Sequence, residues 1–524
     1  MISNTVIVAW LKSNKIILFL LLIILLASFL RIYNLCSQSL WLDEGSSVYE
    51  AKRNISSLIG ELKIHPPLYY IILHYWTLLF GTSEAAIRSL SVCFGIISIL
   101  VLYKLGRELF DHKAALLASF LLAISTFAIA YSQEARSYSL LLLLTLVSFL
   151  FFIRILKADK PRKTHLLLYS LTNILLAYTH MYGLFTIGSQ VLYFLLFRRR
   201  YAQALWVFWS AQVITLFLYS PWIYVLVTRT FQGPRPGMEW IPEPTFRTVA
   251  ISFRYLTGAE YLWLPLGAIF VLTLFSLSLT GVFYSQKGQQ QQGLNKCTRC
   301  TWLKKAWASV AEPKTTLLLM WFLFPLVASL ILSFTYRPIF VIRYLIGITP
   351  AMYLLVSRGI NYTNSFINTR TTRLNLTILT LVVLITLISL PGIYSYYAYP
   401  HKEQWREAVH FIAQEYRPDD AIVFNMRKSP KVFEYYYNGN TQIWEISPAV
   451  IENEEPIIGI DRLWLVIRSY ESTENNPLKN KLLARYGSDS LILQKEFVHV
   501  AVYLFDLTPQ NTANTEGDRQ SFRL

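Results

Sequence analysis

Charge is what this chain has least of. Only 15% of its 524 residues are Asp, Glu, Lys or Arg, against ~25% in an ordinary soluble domain. That shortfall, with 54% hydrophobic residues and a mean hydropathy of +0.40, excludes a purely soluble chain. Nucleotide-gripping motifs are missing too. There is no Asp-x-Asp, no Gly-x-Gly-x-x-Gly and no Walker Gly-Lys-Ser/Thr, so no metal–nucleotide, dinucleotide or ATP site is suggested. Cysteine is scarce: Cys36, Cys93 and one Cys-x-x-Cys pair, Cys297 and Cys300. One pair cannot complete a tetrahedral zinc site. That pair follows the Gln-rich run Gln286–Gln292, in what reads as a flexible basic connector.

What is present is a series of apolar blocks long enough to cross ~30 Å of hydrocarbon as helices. The expected spans are Ile16–Leu30, Ala85–Leu105, Ala114–Ala130, Tyr138–Ile155, Leu166–Tyr178, Tyr182–Phe197, Leu205–Val227, Leu262–Tyr284, Thr315–Phe334, Arg343–Val356 and Leu374–Tyr394. The first block reads as a retained span, since no small-residue cleavage site follows it. The net charge of +17 sits in short loops between blocks, which argues against nucleic acid and for the positive-inside rule. Lys12 and Lys15, Lys104–Lys113, Arg154–Lys163, Arg198–Arg200, Lys287–Lys314 and Arg358–Arg373 fall on one side of about eleven spans. The N-terminus is therefore expected in the cytoplasm and the C-terminus outside.

The opposite loops hold the chemistry. WLDEGSS, Trp41–Ser47, places adjacent carboxylates Asp43 and Glu44 in a loop just past the first span. HPPLYYIILHYWTLLFG follows, where His65 precedes two prolines that open a helix well. The run Leu68–Phe80 reaches only ~20 Å at 1.5 Å per residue, too short to span, and reads as a helix lying along the outer leaflet. The loop YSQEARSYS carries Glu134 and Arg136, and SFTYRPIFVIRYL carries Arg337, Arg343 and Tyr344. Arg is suited to phosphate because its planar fork donates paired hydrogen bonds. Carboxylates can take a proton from an acceptor, and cations can stabilise a departing phosphate. Together these residues describe group transfer from a phosphate-bearing lipid. A divalent cation would suit the carboxylates and His, and no spacing demands one.

These pieces resemble the polytopic glycosyltransferases of the GT-C fold, in the family 39 protein mannosyltransferase-like group, with its relative that adds aminoarabinose to lipid A. The matching features are Asp43-Glu44 after a first span, His65-Pro66-Pro67, IRSLS at Ile87–Ser91, SQEARSY, and RYL at Arg343–Leu345. The likeness covers roughly residues 15–395. It implies a sugar donor on a polyprenyl phosphate, Asp43 as base with inversion at the anomeric carbon, and Glu44 holding acceptor or base. It implies His65 near the phosphate, where the aminoarabinose relative has a lysine. Arg136, Arg337 and Arg343 are the implied phosphate ligands. EQWREA, Glu403–Ala408, is also familiar from bacterial members. The Trp-Trp-Asp signature of oligosaccharyltransferases is absent.

From Pro400 the chain turns polar. Trp405–Glu415 reads as an amphipathic helix, and Ala421–Asn425, Leu463–Arg468, Leu491–Glu496 and His499–Asp506 as strands. Helical pieces are expected at Pro430–Tyr437 and Leu478–Tyr486. The expected organisation is an all-α GT-C membrane domain over 1–398, an extracytoplasmic α/β domain over 399–507 that caps the rim or binds acceptor, and a disordered tail over 508–524. The simple loops favour a bacterial plasma (inner) membrane and a lipid or glycan acceptor, with protein as the remaining class. A polyprenyl-linked sugar flippase or other transporter, and a non-catalytic cell-envelope assembly partner, stay open as alternatives.

Overall fold

Inside hydrocarbon no water can satisfy a backbone amide, so an apolar run closes its hydrogen bonds on itself as a helix. The computed structural model describes residues 14–61, 65–231, 241–259, 262, 264–283, 312–367, 376–426, 428–437, 444–453, 457, 459–468 and 476–508. Among these residues six helices are long and apolar enough to cross a membrane, and a broken pair makes a seventh. They include Lys15–Ile32, Glu84–Leu109, Tyr138–Lys157 and Pro313–Thr335. Helices Lys163–Thr179, Tyr182–Leu196, Leu264–Phe283 and Thr349–Ile367 occupy other expected segments. The protein is therefore a mostly helical, multi-pass membrane chain with a small C-terminal sheet. The Leu68–Phe80 helix has 13 residues, with the expected bounds.

Three local expectations are corrected. The segment Ala114–Ala130 is not one rod. It breaks at Ser125 into His112–Ile124 and Thr126–Ser132, bent by 62°. Ser125 caps the second piece by accepting from the Ala128 amide, and buried Arg31 donates to the carbonyls of Leu122 and Ala123 at 3.1 Å. A polar residue at the break supplies partners that a continuous helix would not need. The segment starting at Arg343 is a 3₁₀ run over Ile342–Ile348, and the α-helix begins at Thr349. Pro350 then falls in the first turn, where its missing N–H is harmless. Asp43 and Glu44 are not in a loop but in the first turn of a helix, Leu42–Ala51. The sequence reading also passed over an amphipathic helix at Phe246–Thr257 and a short strand at Trp444–Ile446.

The chain packs into two compact units. One comprises Met1–Tyr33, Asn54–Phe80 and Ala86–Ala398, the helical unit. The other joins Asn34–Arg53 and Gly81–Ala85 to Tyr399–Leu524, the sheet unit. Its strands are β1 (Ala421–Phe424), β2 (Trp444–Ile446), β3 (Arg462–Arg468), β4 (Leu491–Phe497) and β5 (Val500–Asp506), in the order β2-β1-β3-β5-β4. β1 pairs parallel with β2 and β3, while β5 pairs antiparallel with β3 and β4. β1 and most of β3 are buried, as a strand covered on both faces should be. Leu463, Leu465, Tyr503 and Phe505 form their core with Leu478 and Leu482 of helix Pro477–Tyr486. Cys297, Cys300, the Gln286–Gln292 run and the tail after Thr508 lie outside the described residues.

Candidate active site

The carboxylate pair belongs to the sheet unit. Trp41 stands at the N-cap without a side-chain cap, and Asp43 and Glu44 fill the first turn. Carboxylates there are favoured by ~0.3–1 kcal/mol through the helix dipole. Their surroundings separate them. Glu44 is fully buried, and its Oε2 meets Lys402 Nζ at 3.1 Å. Asp43 keeps 17% of its side chain exposed, with Lys428 Nζ at 3.8 Å from Oδ1 and itself half exposed. At the far end Glu50 pairs with Lys431 at 2.7 Å. Gly45 has a packing reason, since an added Cβ would lie 2.6 Å from Val432 Cβ. The acid helix thus lies close against the helix Ser429–Tyr436.

The cations belong to the helical unit. The loop that carries Glu134 and Arg136 is tied at both ends. Gln133 donates to the carbonyls of Arg31 (3.1 Å) and Tyr33 (2.8 Å) and accepts from Tyr396 Oη (2.9 Å). This satisfies carbonyls left over at the end of the first helix. Ser91, the last residue of IRSLS, donates to the Arg136 carbonyl at 3.2 Å and meets Tyr69 Oη at 3.0 Å. Arg136 is buried and donates from Nη1 to Tyr70 Oη at 3.1 Å. Its guanidinium lies 5.9 Å from the Tyr138 ring centre, and Arg343 sits at the same distance from that ring. Arg343 also lies 5.8 Å from the ring of Tyr344. Tyr138 in turn meets Tyr131 at 5.1 Å and Tyr344 at 6.0 Å, ring to ring.

His180 completes this aromatic box, 4.5 Å from the Tyr344 ring. Burial, then the nearby positive charges of His65, Arg136 and Arg343, hold its pKa down at about 3. It is neutral at pH 7. The Tyr182 amide donates to Nδ1 at 3.2 Å, so the neutral ring carries its proton on Nε2 and offers a donor there. The structure thus brings His65, Arg136, Arg343 and Tyr344 together. Glu134 sits on the same tied loop and acts electrostatically on Tyr131. Arg337 is placed differently: its guanidinium lies 5.8 Å from the exposed ring of its neighbour Tyr336. The sequence reading missed His180, Tyr70 and Tyr138. The signal was present as YTHMYG, a polar aromatic break between two apolar helices.

Among the described residues no group of three or more His, Cys, Asp or Glu side chains could hold a metal ion. Glu44 and Asp43 face lysines instead, a donor set unsuited to a dication.

A profile of the dolichyl-phosphate-mannose-protein mannosyltransferase family matches residues 64–225. This segment holds His65, Glu134, Arg136 and His180, while Asp43 and Arg343 lie outside it. No curated protein matches the sequence. Among solved structures, ArnT from Cupriavidus metallidurans bound to undecaprenyl phosphate is 14% identical, with a TM-score of 0.54 over 94% of this chain and 98% of that one. ArnT in the apo state is 13% identical, with a TM-score of 0.58 over 96% and 99%. The Archaeoglobus fulgidus oligosaccharyltransferase, in complex with Zn and sulfate, is 13% identical, with a TM-score of 0.54 over 85% and 67%. These likenesses establish the fold: the chain has the GT-C fold of polytopic glycosyltransferases, related to that of ArnT along nearly its full length.

Proposed function

We propose that the chain transfers a sugar from a polyprenyl-phosphate donor to an extracytoplasmic lipid, glycan or protein acceptor. The observation that carries this reading is the convergence of Arg136, Arg343 and His65 on neutral His180 inside a tyrosine box. Fixed cations among rings suit a phosphate ester whose sugar can stack on aromatic faces. ArnT, which shares the fold, was crystallised with undecaprenyl phosphate.

In this mechanism the bond between the anomeric carbon and the phosphate oxygen breaks. Positive charge builds on the sugar, as in glycoside hydrolysis. Arg136 and Arg343 stabilise the leaving phosphate, His180 donates to it from Nε2, and His65 adds charge when protonated. Tyr344 lines the sugar, and Glu134 holds the loop polar beside it. The acceptor hydroxyl or amine attacks from the opposite face and gives its proton to Asp43, with inversion. Glu44, committed to Lys402, holds the base in place rather than touching substrate. Arg337 contacts the lipid headgroup region. The membrane is a bacterial plasma (inner) membrane, with the N-terminus cytoplasmic and the sheet unit outside.

The test is sugar transfer in reconstituted membranes with a panel of polyprenyl-phosphate sugars, comparing wild type with Asp43→Asn. General-base loss predicts a fall of about 10²–10⁴-fold. A donor translocated across the bilayer but never consumed would replace this reading with transport. Equal consumption by both proteins would remove Asp43 from the mechanism.

A further inference from the structure

The short acid helix is an unlikely object to stand alone. An isolated helix of ten residues is marginal in water, and Trp41 leaves its first amides without a side-chain cap. The missing cap comes from 361 residues away in sequence. Glu403 Oε2 accepts from the Leu42 amide at 2.9 Å, one residue before Asp43. The same oxygen accepts from Trp405 Nε1 at 2.6 Å, and Oε1 accepts from Arg468 Nε at 2.6 Å. The Glu403 carbonyl also accepts from Ser39 Oγ at 2.6 Å. The carboxylate is fully buried, so the Leu42, Trp405 and Arg468 donors replace water that it has lost.

Arg468 is the last residue of β3. Asn425, just past β1, exchanges two hydrogen bonds with the Arg468 backbone, at 2.9 and 3.0 Å. β1 is flanked by β2 and β3, both parallel to it. In such sheets the carboxyl edge at this branching point is where ligands bind. Here that edge carries Arg468 and, in the following turn, Lys428, and both reach the chain's own first-loop segment: Arg468 through Glu403, and Lys428 directly at Asp43. Lys402 and Lys431 add the pairs to Glu44 and Glu50.

We infer that the C-terminal sheet serves as the holder of the acid helix, with Glu403 as a positioning residue that sets the Asp43 carboxylate through the Leu42 amide. This rests on Asp43 being the base. It assigns the ligand edge of the sheet to an internal helix rather than to a nucleotide or an acceptor.

The experiment uses the full chain in proteoliposomes and whichever polyprenyl-phosphate sugar the wild type consumes, under single turnover with excess enzyme. Glu403→Gln is expected to lower the transfer rate about tenfold or more while donor KM stays within about twofold. Arg468→Gln, which loosens Glu403 but leaves its carboxylate, should give a smaller loss in the same direction and keeps the test alive where Glu403→Gln fails to fold. The deciding comparison is the pair in an Asp43→Asn background. Residues that act as one unit are non-additive, so Glu403→Gln should cost little once the base is gone. Losses that multiply in the double variant would overturn the inference, because they mark a general structural role. A normal rate in both Glu403→Gln and Arg468→Gln would overturn it as well. Full activity of Asp43→Asn alone would instead sink the proposed base, whatever Glu403 does.

Discussion

The sheet unit and the helical unit set different neighbours around their charged residues. In the sheet unit five acids meet cations: Asp43 with Lys428, Glu44 with Lys402, Glu50 with Lys431, Glu84 with Arg406, and Glu403 with Arg468. In the helical unit Arg136 and Arg343 lie against tyrosine rings, with a phenol hydroxyl on Arg136. An ion pair fixes a charge and neutralises it. A ring orients a cation through its quadrupole. Pairing suits a scaffold that presents an acid, and ring contact sets the plane of a guanidinium fork.

The sharpest way to break this comparison is at Arg343. Arg343→Gln should raise donor KM by about 10–100-fold, since hydrogen bonds to charged groups contribute ~1.5–3 kcal/mol. Arg343→Lys should fall between, because it keeps the charge but not the planar fork. An unchanged donor KM in Arg343→Gln would strip the ring-held cations of their role. A smaller effect is expected at Gly45. Gly45→Ala drives a methyl into Val432 and should cost ~1–3 kcal/mol of stability by overpacking, read as a lower Tm with reduced transfer rate. Adding Val432→Gly, which removes the Cβ at 2.6 Å, should restore part of the transfer rate. No recovery would mean that contact with the Ser429–Tyr436 helix does not set the acid helix.

The smallest effect concerns pH. His180 is held at about 3, below the ~6.5 of an unperturbed imidazole. The unfolded chain therefore binds more protons between these values, and stability from this group is complete above about pH 6.5 and lost as pH falls toward 3. Wild-type Tm should decline from pH 7 to pH 4.5, and His180→Asn should flatten part of that decline. An identical slope in both proteins would show His180 already charged.

Much of this was legible without coordinates. Apolar runs impose helices wherever they occur, and the Leu68–Phe80 helix has the bounds read from its two prolines and its composition. Strands β1, β3, β4 and β5 and the helix Trp405–Glu415 were read nearly to the residue, because alternation and amphipathic spacing are local signals. The break at Ser125 was not, since Arg31 supplies the carbonyl partners from another helix. His180 was not read from the sequence, because Arg136 and Arg343 act on it only once the chain has folded.

The sequence by itself determined the helical membrane chain, the presence of Asp43, Arg136 and Arg343, and the α/β character of the C-terminal part, because period and composition act over neighbouring residues. It took the tertiary structure to bury Glu44 against Lys402, to bring Glu403 to the Leu42 amide, and to bring Arg136, Arg343 and His65 close enough to act electrostatically on His180. Those are contacts between segments tens to hundreds of residues apart. Burial and distance, which set the behaviour of a charge, do not exist until the chain has folded.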